Sequence, residues 1–195
     1  RIKNALTVIQ AIINQTFQSG REKDEILGDL GRRIGALADA QTLLTRSGMA
    51  EADIGDVVVH ALAPFRMRKE SFCIEGTPVR LSAKQALSLA LAINELATNA
   101  LKYGALSGEA GGVTVAWTAG RPGTEDEFSL RWIEHGGPPV SKPSRKGFGS
   151  RIIEKALAQD FMGKALIAYD PEGLRFELTT RMTQVGGDPR SGEPG

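Results

Sequence analysis

From Ile2 to Leu44 the apolar side chains recur at intervals of three and four, interrupted once at Gly20. Ile2, Leu6, Ile9, Ile13 and Phe17 draw one stripe down a helix. Ile26 or Leu27, Leu30, Ile34, Leu37, Gln41 and Leu44 draw a second, which ends at Ser47-Gly48. Two helices in succession predict an antiparallel hairpin over residues 1–48. A lone hairpin buries its stripes poorly, so the pattern predicts pairing with the hairpin of a second copy as a four-helix bundle, a homodimer through residues 1–48. The alternative is that both stripes pack against the rest of the same chain.

Beyond Asp53 the pattern changes. A short helix through Val57, Val58, Ala61 and Leu62 should stop at Pro64. Ser71–Glu75 and Val79–Leu81 read as short strands, and Val113, Val115 and Trp117, then Phe128, Leu130 and Trp132, alternate with smaller or polar residues. Ala165–Tyr169 and Leu174–Thr180 flank the turn sequence Asp170-Pro171-Glu172-Gly173. Helices over about Ala83–Tyr103 and Ser150–Phe161 carry enough Ala, Leu and Ile to cover one face of the resulting antiparallel-rich sheet. The expected fold is α+β, the hairpin followed by an α/β sandwich over residues 53–182. Residues 183–195 lack apolar period and predict a disordered tail.

Bulk properties exclude several classes. With 24 basic and 23 acidic side chains, nothing draws the chain to nucleic acid or anionic lipid. No apolar run approaches the roughly 20 residues needed to span a bilayer, and no signal-peptide pattern opens the chain, so no membrane contact and a cytoplasmic location are expected. The single cysteine, Cys73, lies in the apolar run Phe72-Cys73-Ile74 and reads as a buried structural thiol.

The long helix carries the chemistry. Ser82-Ala83-Lys84-Gln85 fits a capping box, and polar residues gather near the far end of the helix. Glu95, Asn99 and Lys102 stand at i, i+4 and i+7, in line on one face, with Tyr103 beside them. An amide oxygen and a carboxylate suit Mg²⁺, and a lysine can meet phosphate charge. Spacing alone fits a solvated helix face more often than such a site. Two glycine clusters add weight: Glu134-His135-Gly136-Gly137-Pro138-Pro139 after a strand, and Gly147-Phe148-Gly149-Ser150 at the start of a helix, where unpaired N–H groups favour phosphate oxygens. Between them Val140–Lys146 is polar and basic, as a mobile lid over an anion would be. His60 on an apolar helix and His135 beside a glycine turn read as incidental.

In this order the motifs resemble those of HWE-type histidine kinases. Asn94-Glu95-Leu96-Ala97-Thr98-Asn99-Ala100-Leu101-Lys102-Tyr103-Gly104-Ala105-Leu106-Ser107 is similar to that group's N box, Trp132-Ile133-Glu134 to its W-x-E motif, and Gly147-Phe148-Gly149-Ser150 to its second glycine box. Arg1-Ile2-Lys3-Asn4-Ala5-Leu6 resembles the segment that follows the acceptor histidine, which would then stand immediately before Arg1. The family usually has histidine where this chain has Asn94. The resemblance runs from Arg1 to about Met182.

The resemblance implies the dimerising, histidine-bearing hairpin and GHKL-type ATP-binding domain of a two-component sensor kinase. It implies Mg²⁺ ligated by Asn99, with Glu95 holding the water shell or assisting proton transfer, Lys102 on the phosphates and Tyr103 flanking the nucleotide. Glu134 would accept from the adenine amino group, with Gly136, Gly137, Gly147, Phe148, Gly149 and Ser150 lining the nucleotide. ATP would phosphorylate a histidine, and the phosphoryl group would pass to an aspartate of a response-regulator receiver domain, under control of an N-terminal sensor module. Two alternatives are a GHKL serine-directed anti-sigma kinase and a dimeric phosphotransfer or scaffold protein that has lost ATP. The paired amphipathic helices weigh against the first, and intact Glu95, Asn99, Lys102, Gly147 and Gly149 against the second.

Overall fold

The computed structural model describes residues 23–46, 51–65, 71–141 and 152–186. The first expected helix, the basic loop from Lys142 and the Gly147–Ser150 cluster lie outside them. The order is α1 (Lys23–Arg46), β1 (Glu51–Asp53), α2 (Ile54–Leu62), β2 (Phe72–Gly76), β3 (Arg80–Ser82), α3 (Ala83–Tyr103), β4 (Gly112–Ala119), β5 (Glu127–His135), a wide π turn (Ile152–Ala156) leading into α4 (Leu157–Asp160), β6 (Lys164–Asp170) and β7 (Gly173–Arg181).

Five strands form one sheet in the order β2-β4-β5-β7-β6, antiparallel except for the parallel pair β2 and β4, and β1 pairs with β3 apart from it. Alternation sorts the side chains. Val113, Val115 and Trp117 of β4, Phe128, Leu130 and Trp132 of β5, and Leu174, Phe176 and Leu178 of β7 share one core with α3. The expected α+β sandwich is present, with a parallel edge pair that the sequence pattern did not reveal.

Helix α3 starts as its sequence dictates. Gln85 N donates to Ser82 Oγ (3.3 Å) and Ser82 N donates to Gln85 Oε1 (3.1 Å), closing the capping box. Leu89, Ile93 and Leu96 are fully buried, and each contributes about 1.5–3 kcal/mol by leaving water. Every residue from Leu91 to Ala97 is buried, because the sheet covers one side of α3 while α1 and α2 cover the other. That coverage takes Asn94 and Glu95 out of solvent along with their apolar neighbours.

Three expectations change. Cys73 is exposed, because on β2 it points away from the face that Phe72 and Ile74 turn toward the core. The chain past Met182 does not fray at once: Gln85 Nε2 donates to Gln184 O (2.6 Å) and Gly186 N donates to Gln85 Oε1 (3.0 Å), tying the segment to the head of α3. Among the described side chains of α1, Arg33, Ala36, Leu37 and Ala40 are buried, the helix packing against α2 and α3 of the same chain, while Ile34 is 38% exposed and Gln41 is exposed. Small residues at 36 and 40 allow close helix approach, so this face wins the packing over the greasier line through Ile34.

Candidate functional site

The site gathers where α3 ends against β5. Along α3, Glu95 is buried, Asn99 is half-buried, and Lys102 and Tyr103 are exposed, so the predicted face emerges from the core toward its C-terminal end. Gly104 follows, its N–H donating to Ala100 O at 3.0 Å.

Glu134 of β5 anchors this end. Trp132, Glu134, Phe128 and Leu130 share the core side of the strand, so the acid at the strand's end points beneath α3. Its Oε2 accepts from Ala105 N at 2.9 Å and its Oε1 from Trp132 Nε1 at 3.2 Å. The W-x-E spacing is therefore an i, i+2 pair on one strand face, with the indole satisfying the acid. Burial pushes the Glu134 carboxyl above its ordinary value, and the two N–H donors oppose that rise.

The glycines fit this closure. A Cβ on Gly104 would stand 2.0 Å from Glu134 Oε2, so only glycine lets the carboxylate reach the Ala105 N–H. After β5, Gly136 adopts φ +69°, and a Cβ on Gly137 would come within 2.5 Å of Ala105 Cα. Gly136 and Gly137 thus seat the post-strand turn against the end of α3, beside Asn99, Lys102 and Tyr103 in sequence. Gly147, Phe148, Gly149 and Ser150 lie outside the described residues. Downstream, α4 ends at the head of α3, where Lys84 Nζ meets Asp160 Oδ1 at 2.8 Å. Both the π turn and α4 contact α3, so this segment runs back along it.

One residue escaped the sequence reading. Arg33 of α1 donates through Nε to Glu95 Oε1 and through Nη2 to Glu95 Oε2, the latter at 3.0 Å, and both side chains are buried. The signal available was the small-residue line Ala36 and Ala40 beside Leu37, which marks a helix face built for close contact. His60 is exposed and its Nδ1 lies 2.9 Å from Asp56 O on its own helix, and His135 is exposed beside Gly112.

Among the described residues no group of three or more His, Cys, Asp or Glu could hold a metal alone. Mg²⁺ brought with phosphates would need no such group, since this ion uses one or two protein ligands and keeps several waters. Asn99 offers a half-buried amide, and Lys102 and Tyr103 beyond it are exposed, whereas both oxygens of Glu95 are held by Arg33. Among the described residues no helix is long and apolar enough to cross a membrane.

A family model, HWE histidine kinase, matches residues 1–78. A blue-light-activated histidine kinase of Brucella anthropi is 35% identical over 184 residues, which are 94% of this chain and 38% of that protein. Its Brucella ovis counterpart is 33% identical over the same length. The chain thus spans 38% of the length of these curated relatives. In fold it is similar to the histidine kinase domain of a blue-light-activated histidine kinase from Erythrobacter litoralis, with TM-score 0.62, 19% identity and coverage of 92% of this chain and 85% of that one. A mycobacterial sensor histidine kinase, MprB, gives TM-score 0.52 at 20% identity over 67% of this chain and 95% of its own. From the family match at its start, the relatives along its length and the fold around α3, the chain belongs to the HWE-type histidine kinases.

Proposed function

We propose that this chain is the catalytic core of a cytoplasmic two-component sensor kinase that moves the γ-phosphoryl group of Mg-ATP to a histidine. Residues 1–48 would form the dimerising, histidine-bearing hairpin and residues 53–182 the ATP-binding domain, with Gln184 and Gly186 still tied to it. The observation that carries this reading is the closure of Glu134 and the Gly136-Gly137 turn onto the end of α3, where Asn99, Lys102 and Tyr103 come to the surface.

The roles rest on the resemblance of the motifs, supported for the described residues by where they stand. Asn99 would offer its amide oxygen to the metal, Lys102 would meet the phosphates, and Tyr103 would lie along the base or ribose. Glu134, whose two oxygens each keep a further lone pair beyond the bonds to Ala105 and Trp132, would accept from the adenine amino group. Gly147, Phe148, Gly149 and Ser150 would bring helix-start N–H groups to the phosphates. Magnesium would neutralise phosphate charge. Phosphoryl transfer needs mainly positioning and neutralisation, so these groups suffice. In the step itself the bond from the γ-phosphorus to the ADP oxygen breaks, a bond to the imidazole nitrogen forms, and Glu95 would help carry off the imidazole proton. A receiver-domain aspartate would take the phosphoryl group next, and a sensor module would set the rate.

The test extends the chain by a histidine immediately before Arg1 and supplies γ-labelled ATP with magnesium. Label that is lost in acid and stable in base is the expected result. Acid-stable label would point to a serine kinase, and no label in a chain that binds Mg-ATP would point to a scaffold.

A further inference from the structure

The Arg33 to Glu95 ion pair joins two parts of the chain that the sequence treats as separate. Its partners are 62 positions apart, one on the helix expected to belong to the dimerising hairpin and the other in the N box. Arg33 is 5% exposed and Glu95 6%. Beside the ion pair, among the described side chains of α1, Ala36, Leu37 and Ala40 are buried and Leu30 packs partly buried against the core.

Both Glu95 oxygens are engaged by one planar guanidinium. A divalent cation one helical turn away, at Asn99, is repelled by the guanidinium. Desolvating both charges cancels much of their attraction. A contact of this kind can be opened by a ligand that needs the same carboxylate.

We propose that Arg33 is a latch: while α1 is docked it withholds Glu95 from the nucleotide site, and Mg-nucleotide binding and α1 docking compete for that carboxylate. This rests on the reading of the α3 end as the Mg-ATP site.

Hydrogen exchange of the full chain tests it, alone, with Mg²⁺ and a non-hydrolysable ATP analogue, and with the analogue plus EDTA. The amides of residues 30–42 should exchange about tenfold faster with the magnesium complex, within the usual range of couplings between sites, and change less with EDTA. By reciprocity, Arg33→Gln should bind the magnesium complex tighter by a similar factor, about tenfold, and Arg33→Lys by less. Unchanged or slower exchange in a chain that calorimetry shows to be loaded would overturn the latch alone. Absence of binding by calorimetry would sink the nucleotide site and the latch together.

Discussion

Glu95 and Glu134 are both buried carboxylates, 6% and 4% exposed, yet their charge is met in opposite ways. Glu134 rests on two neutral N–H donors, one from its own strand and one from the turn after α3, all within the sandwich. Glu95 rests on a cation delivered by α1. The first arrangement can be lost only by opening the domain. The second can be lost by moving one helix, so a structural acid and a switchable acid differ here in which element supplies the partner rather than in depth of burial.

The largest effect should come from the fixed site. Glu134→Ala orphans the Trp132 indole N–H and the Ala105 N–H. Each orphaned donor costs about 1–3 kcal/mol, so urea denaturation should show a loss of about 2–6 kcal/mol. A loss below about 1 kcal/mol would mean that this acid is not a structural anchor. Gly104→Ala should follow, at about 1–3 kcal/mol, because its Cβ would collide with Glu134 Oε2.

At Glu95 the change should be local. Arg33→Ala is expected to cost about 1–2 kcal/mol globally, since α1 can leave and let the acid hydrate. Exchange in α1 should quicken while β5 and β7 stay protected. The paired change Arg33→Met with Glu95→Leu should restore protection of α1, because an apolar pair removes the charge problem. A global loss exceeding that of Glu134→Ala would erase the distinction between the two acids.

The smallest effect is a pH slope. Burial raises the folded-state pKa of Glu134 above the ordinary 4.5, so the folded protein holds this proton more firmly than the unfolded chain. Its contribution is full below pH 4.5 and declines as pH rises through the raised value. In melting curves Glu134→Gln should lack that component. An unaltered pH profile in the variant would place the titration elsewhere.

Much of this was readable in residue order, and the limits have physical causes. The capping box, the alternation in β4, β5 and β7, and the shared face of Glu95, Asn99 and Lys102 all follow from local periodicity, whereas the burial of Glu95 beneath α1 does not. Pairing depends on distant residues. The parallel partnership of β2 with β4 and the exposure of Cys73 depend on which strand lies beside which, and that is not a local property. On α1 the stripe holds in part: Leu30 and Leu37 reach the core, while Ile34 and Gln41 give way to Ala36, Ala40 and a buried arginine whose partner is 62 residues away. The second glycine cluster, Gly147–Ser150, remains a sequence expectation carried into the proposed site.

The account turns on the surface end of α3 as the seat of Mg-ATP. A calorimetric titration comparing the wild-type chain with Asn99→Ala tests this directly, because the side chain is half-buried at the helix end and its loss should leave the fold intact. Wild-type binding weakened at least about tenfold in the variant, a change of about 1.4 kcal/mol, with an unchanged melting temperature, is the predicted result. Equal affinity for the two proteins would contradict it.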